Sequence, residues 1–311
     1  MAEEMNEGER MEEELELTKE NPAGSTLMDD RLYVELTNDL LFHMVFSKNM
    51  EALKDLLSSL LAMDPDRIQR IEILNPMQYN DSYETKETIL DLKIHLNNES
   101  FILVEIQVRE FKYWTNRTLI YACRQITDQT NGKDAYQKLQ PVVQIAIMKY
   151  SLFPERRRFY TEYKLQDDEQ QELTDKLKFY VLDLTAVDLA TETDQTNGLV
   201  EWAKAFNAKN WDAVNQIERK GIREAANTME VIMATPSQRQ KIWERKLALM
   251  DYNTEIYSAR EEGKAEGRAE GKAEGRDEEK IRIARSMKQD GDSDEKIARI
   301  TGMSLKEIAA L

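Results

Sequence analysis

Two neighbouring stretches alternate apolar and polar residues with a period of two. The first is 89–96, with Leu90, Leu92, Ile94 and Leu96 set against Asp91, Lys93 and His95. The second is 101–108, with Ile102, Val104, Ile106 and Val108 set against Glu105 and Gln107. Such alternation predicts half-buried β-strands, and Asn97-Asn98-Glu99-Ser100 between them predicts a hairpin turn. Pairing Ile94 with Ile102, Leu92 with Val104 and Leu90 with Ile106 brings the apolar residues to one face. That register sets Asp91 opposite Glu105, with Gln107 beside them, and a slip of one residue would turn one strand's apolar set to the wrong side.

Helical spacing precedes and follows this pair. Thr37 and Asn38, both good N-cap types, lead into Asp39 and the apolar positions Leu40, Leu41, Met44 and Val45. The helix is expected to run on through 51–63 on Leu53, Leu56, Leu57, Leu60 and Leu61, until Asp64-Pro65 ends it. A short strand is expected over 68–75, then a polar irregular stretch over 76–88. After the hairpin, 114–129 predicts a helix with Arg117, Tyr121 and Arg124 or Gln125 on one side, stopped by Asn131-Gly132. The continuous apolar run Val142–Met148 predicts a strand at a sheet centre, and 178–184 a last strand. Strands and helices alternating in this way imply an α/β sandwich around a mixed sheet. Residues 190–258 carry helical patterns on Trp202, Phe206, Trp211, Met229 and Ile232, with no catalytic spacing among them.

Residues 262–276 repeat Glu-Gly-Lys/Arg-Ala with a period of four. Like charges align at i, i+4 and each Gly lowers helix propensity by about 1 kcal/mol relative to Ala. A flexible linker is the expectation, the alternative being a helix with a smooth glycine stripe. In the tail, Gly291-Asp292-Ser293 separates a helix near 281–289 from one at 294–300. Ser304-Leu305-Lys306-Glu307 matches a capping box for a final turn. The pattern is similar to a small helix-turn-helix, but its recognition helix would carry only Lys306, so helical association is expected rather than base reading.

At 311 residues the chain has room for one α/β core with helical additions. Its net charge of −16 at first speaks against a polyanionic partner. The distribution changes that picture. Residues 1–20 hold nine Glu against Arg10 and Lys19, and 1–26 read as an acidic, disordered arm. Residues 101–164 hold eleven basic residues against six acidic ones, so the segment carrying the expected site is basic. The single cysteine, Cys123, excludes an intramolecular disulfide and points to a reducing, cytoplasmic setting; its place mid-helix predicts a packing residue. Of the two histidines, His43 has no Cys or His partner at metal spacing, and His95 reads as a solvent-facing strand residue, so zinc has no support. No run approaches 18 apolar residues and no basic-then-apolar leader opens the chain, so no membrane association is expected.

Opposed carboxylates have Cβ atoms about 4.5–5.5 Å apart. Asp91 and Glu105 at that distance would need a shared proton or a cation, and hard oxygen donors suit Mg²⁺. An Asp, a hairpin and then Glu-x-Lys on the next strand is the active-site pattern of the PD-(D/E)XK nuclease superfamily, with Gln107 here at the Lys position. A set of ordered blocks resembles one branch, the Rpn-type family of recombination-promoting nucleases and transposase-like proteins. The blocks are Thr37-Asn38-Asp39-Leu40-Leu41-Phe42 with Phe46, Lys86 to Asp91, Glu105-Ile106-Gln107, Arg117 to Tyr121, and 136–147. The likeness covers roughly residues 28–185 and reappears in the tail.

The resemblance implies a PD-(D/E)XK restriction-endonuclease-like sandwich over 27–188. A helical subdomain at 189–258, the repeat as linker or helix at 259–278 and a small helical tail at 279–311 follow it. It implies a DNA endonuclease using Mg²⁺ or Mn²⁺ in recombination or mobile-element processing. Asp91 and Glu105 would be metal ligands, with Asp39 a further acid near the metal, and Gln107 would orient the water. Gln107 has no charge with which to stabilise an anion. Lys86, Arg117 and Arg124 would contact DNA phosphates, although a structural salt bridge is the equal alternative for Arg117. The rival reading is a scaffold that binds DNA or assembles without catalysis, and the repeat and tail leave a homo-oligomer open.

Overall fold

A computed structural model describes residues 30–74, 92–130 and 136–311 of the chain. Asp91, Leu90 and Lys86 lie outside the described residues, as do the acidic arm, the irregular stretch 76–88 and Asn131-Gly132. The chain divides into two compact units between Trp243 and Glu244.

The first unit is built on six strands: β1 (Ile71–Leu74), β2 (Leu92–Leu96), β3 (Ser100–Gln107), β4 (Val142–Met148), β5 (Tyr160–Lys164) and β6 (Leu177–Asp183). They form one mixed sheet in the order β1-β2-β3-β4-β6-β5. Strands β3, β4 and β6 run parallel, and β1, β2 and β5 join antiparallel at the flanks. The hairpin register follows the apolar pattern, with Leu92 opposite Val104 and Ile94 opposite Ile102. Asn97 and Asn98 both take positive φ, 54° and 58°, which Asn tolerates better than most residues. The Asn97 side chain also ties the turn to the chain before β1, accepting from the backbone N–H of Gln69 and Arg70 at 2.9 and 3.0 Å. The edge strand β5 has no counterpart in the sequence reading. Its Tyr-Thr-Glu-Tyr-Lys carries little apolar signal, and it is held by the Tyr160–Tyr180 ring stack and ion pairs such as Lys178–Glu162.

The helices of this unit open with α1 (Asp39–Lys48) and α2 (Met50–Leu60). The sequence suggested one helix here. Asn49 breaks it: its N–H bonds Val45 O at the end of α1, while its side-chain oxygen caps α2 by accepting from Ala52 N at 3.0 Å. The Asn49 amide also donates to Thr228 Oγ1 at 2.9 Å. Next come α3 (Trp114–Thr127), α4 (Glu192–Thr196), α5 (Leu199–Asn207), α6 (Trp211–Asn215), α7 (Lys220–Ala234) and α8 (Pro236–Gln289).

Phe42 and Phe46 of α1, Leu53, Leu56 and Leu57 of α2, Trp202 and Phe206 of α5, and Met229 and Ile232 of α7 share one core with Ile102, Val104, Ile106, Val143, Ile145 and Ile147 of the sheet. Each such side chain contributes roughly 1.5–3 kcal/mol through burial. Close packing is visible at Gly221, where an added Cβ would fall 2.3 Å from Asp55 Cβ. Asp55 in turn accepts from Arg219 Nε at 2.6 Å and from Trp202 Nε1 at 2.9 Å.

The second unit holds the distal part of α8, then α9 (Asp294–Thr301) and α10 (Leu305–Ala309). The repeat is helical, not a flexible linker. The Lys264–Glu261 pair at 2.7 Å supports its start, and Lys280–Asp277 at 2.8 Å follows its end. A helix already formed on both sides propagates through glycines at about 1 kcal/mol each. Gly263, Gly267, Gly271 and Gly275 face open space. Ser293 caps α9, Gly302 closes it with φ 71°, and Ser304 with Glu307 forms the expected capping box of α10. Ala284, Ile297 and Ile308 make a small core of their own.

Candidate functional site

Strand periodicity sends Ile102, Val104 and Ile106 into the main core, so Phe101, Leu103, Glu105 and Gln107 share the opposite face. That second face is not open to water. Helix α3 covers it, with Ala122 packed on Leu103, Val142 and Leu177, and Trp114 packed on Ala146, Met148 and Val181. The expectation of one apolar face on this strand therefore needs correction. Phe101 and Leu103 were the signal for a second covered face.

Glu105 is buried, with 4% of its surface exposed. Its Oε1 accepts from Gln107 Nε2 at 2.5 Å and from the Arg117 guanidinium; its Oε2 accepts from Trp114 Nε1 at 3.3 Å. Burial pushes the carboxyl above the usual carboxylate range. The charge of Arg117 and the bonds from Trp114 and Arg117 act against that rise. Arg117 lies with its guanidinium carbon 4.9 Å from the Phe111 ring centroid, and its Nε is buried with no hydrogen-bond partner among the described residues. Three donors thus converge on one carboxylate, two from α3 and one from two residues along the strand.

Beneath the middle of α3 lies a polar seam. Gln144 of β4 is fully buried, and neither its amide oxygen nor its nitrogen finds a partner among the described residues. Thr118 Oγ1 and Gln125 Oε1 are likewise buried and unmatched. Sequence reasoning passed over Gln144, although a lone Gln inside the apolar run Val142–Met148 is itself a signal.

The other expected residues are placed as follows. Arg117 meets Glu105, so its side chain is a carboxylate partner here, the salt-bridge alternative held open from the sequence. Arg124 is exposed on α3. Asp39 opens α1, where its Oδ1 accepts from Leu40 N at 2.8 Å, and α1 packs on the face of the sheet opposite Glu105. His95 is half-buried rather than solvent-facing, stacked on Phe101 at 4.5 Å and bonded to Gln140 Oε1 at 2.8 Å. Cys123 is exposed, not a packing residue.

Glu105 and Gln107 offer hard oxygen donors, which fit Mg²⁺ or Mn²⁺ in kind and not a soft metal. Among the described residues no group of three or more His, Cys, Asp or Glu could hold a metal ion, and no helix is long and apolar enough to cross a membrane.

A family model described as PD-(D/E)XK nuclease family transposase matches residues 36–259. No curated protein and no solved structure matches the chain.

Proposed function

The chain belongs to the PD-(D/E)XK nuclease family transposases, and from that premise we propose that it is a DNA endonuclease dependent on a divalent cation. The observation that carries the reading is the buried carboxylate of Glu105, with Gln107 bonded to it, on the strand where the sequence resemblance places Glu-x-Lys. The observed pairing of Leu92 with Val104 agrees with the register read from the sequence, the register in which Asp91 is expected opposite Glu105; Asp91 itself lies outside the described residues.

In this reading Asp91 and Glu105 would hold Mg²⁺ or Mn²⁺. The bound ion supplies Lewis-acid polarisation of a phosphoryl oxygen and a water of lowered pKa. Gln107 would orient a water through its amide, which can donate or accept. Trp114 holds the second carboxylate oxygen of Glu105, Oε2. Arg124 and Lys86 meet backbone phosphates, contacts that position DNA without reading its sequence. Asp39, at the start of α1, would be a further acid near the metal. Processing of recombination or mobile-element DNA is the setting proposed, in the cytoplasm, with the repeat and tail available for self-association.

Supercoiled plasmid incubated with Mg²⁺ or Mn²⁺ tests the reading, with Asp91→Ala and Glu105→Ala beside the wild type. Nicking or linearisation by the wild type alone is expected. DNA binding without cutting by any of the three would instead indicate a scaffold that has lost the chemistry.

A further inference from the structure

Glu105 Oε1 already accepts two hydrogen bonds, from Gln107 and from Arg117. A cation taking that oxygen must displace at least one of these donors, because a carboxylate oxygen has two lone pairs. Gln107 is the easier to turn, but it is neutral. Arg117 is the charged competitor, and its charge opposes a second cation at the same oxygen.

The setting of Arg117 fits a group that can let go. Its side chain is about one-quarter exposed, at 23%, whereas that of Glu105 is 5% exposed. One face of the guanidinium rests against Phe111, itself exposed, and a planar cation can pivot over such a ring without losing it. Nε is a buried donor without an acceptor among the described residues, so within them the guanidinium uses only part of its donor set. Trp114, by contrast, is buried and bonded to the other oxygen, so the carboxylate stays anchored when Arg117 leaves.

We propose that Arg117 is an exchangeable counter-ion. It holds the Glu105 carboxylate in place and yields Oε1 to a divalent cation, after which its donors, Nε included, face the phosphate that the cation brings. In this account Arg117 positions Glu105 before the cation arrives and meets the phosphate after it. The inference rests on the reading of Glu105 as a metal ligand. It adds that Arg117 and the metal compete, so that removing Arg117 tightens metal binding while impairing cleavage.

The test is direct titration of Mn²⁺ into the full-length protein at fixed pH, with free Mn²⁺ followed by electron paramagnetic resonance. Wild type, Arg117→Met, Arg117→Lys and Glu105→Gln are compared, each first checked for folding by circular dichroism. Arg117→Met is expected to bind Mn²⁺ about tenfold more tightly than wild type, because the ligand no longer displaces a charged competitor. Arg117→Lys, with its single-point ammonium, is expected to fall between. Arg117→Met binding Mn²⁺ no tighter than wild type would overturn the proposal and leave Arg117 a structural ion pair. Should Arg117→Met not fold, Arg117→Lys decides by the same criterion. Glu105→Gln separates the two layers of the argument. If it binds Mn²⁺ as the wild type does, or if no variant binds, Glu105 is not a metal ligand, and the competition falls with that reading.

Discussion

On the face of the sheet that meets α1, α2, α5 and α7, Ile102, Val104 and Ile106 join one continuous apolar core; Trp202 Nε1 and Arg219 Nε at its margin are matched by Asp55, while Trp211 Nε1 is buried without a partner among the described residues. On the face beneath α3 the apolar contacts split into two small clusters. Between and beside them lie Glu105, Gln144, Thr118 and Gln125, several with unmatched atoms. The same strand, β3, serves both faces. The contrast teaches where each task sits. Fold stability is concentrated on the first face, and the second carries buried polarity that lowers stability and that chemistry can use.

The comparison can be broken most severely at Trp202 of α5, fully buried against Phe46 of α1 and Phe206 of its own helix. Trp202→Ala should lose about 3–5 kcal/mol in urea unfolding. A loss under about 1 kcal/mol would mean that the first face is not the main support. Asp55→Ala comes next. It strips Arg219 Nε and Trp202 Nε1 of their acceptor, and a loss of about 2–3 kcal/mol is expected. The opposite sign is expected under α3. Gln144→Leu removes two unmatched polar atoms at similar volume, and thermal melts should show a gain of about 1 kcal/mol. A clear loss there would show that Gln144 has a partner that the described contacts do not include.

The smallest effect concerns Glu35, in the chain leading to α1. Burial alone would raise its carboxyl, but the bonds from Lys149 and Lys209 outweigh that and hold it below the ordinary glutamate value. A depressed folded value stabilises the protein above the unfolded one, and that contribution is lost as pH falls through the folded value. Glu35→Gln should therefore flatten the acid side of the stability profile. The side chain is about one-third exposed, so screening keeps the effect under about 1 kcal/mol. An unchanged acid limb would remove Glu35 from the account.

Much of the first face was legible in the sequence, because apolar spacing there is dense. The Leu53, Leu56, Leu57 and Leu60 ladder and the Leu92–Val104 register follow directly from it. The break at Asn49 was not, because an Asn inside an amphipathic run carries the same local signal whether it faces water or caps two helices. The second face was legible in part. Periodicity of two placed Glu105 and Gln107 together, but it does not say whether their face meets water or a helix. Phe101 and Leu103 are short-range evidence for the helix. The meeting of Arg117 with Glu105 depends on how α3 lies on β3, which twelve residues of separation do not fix.

The central claim is that Glu105 carries the chemistry of the second face without carrying the fold. Its most direct test is the rate of plasmid nicking in Mg²⁺ by Glu105→Gln beside wild type, both shown folded by circular dichroism, with a chelator control. The account predicts nicking by the wild type that the chelator abolishes, and a rate at least about a hundredfold lower for the folded variant. A folded Glu105→Gln that nicks as fast as wild type would contradict it.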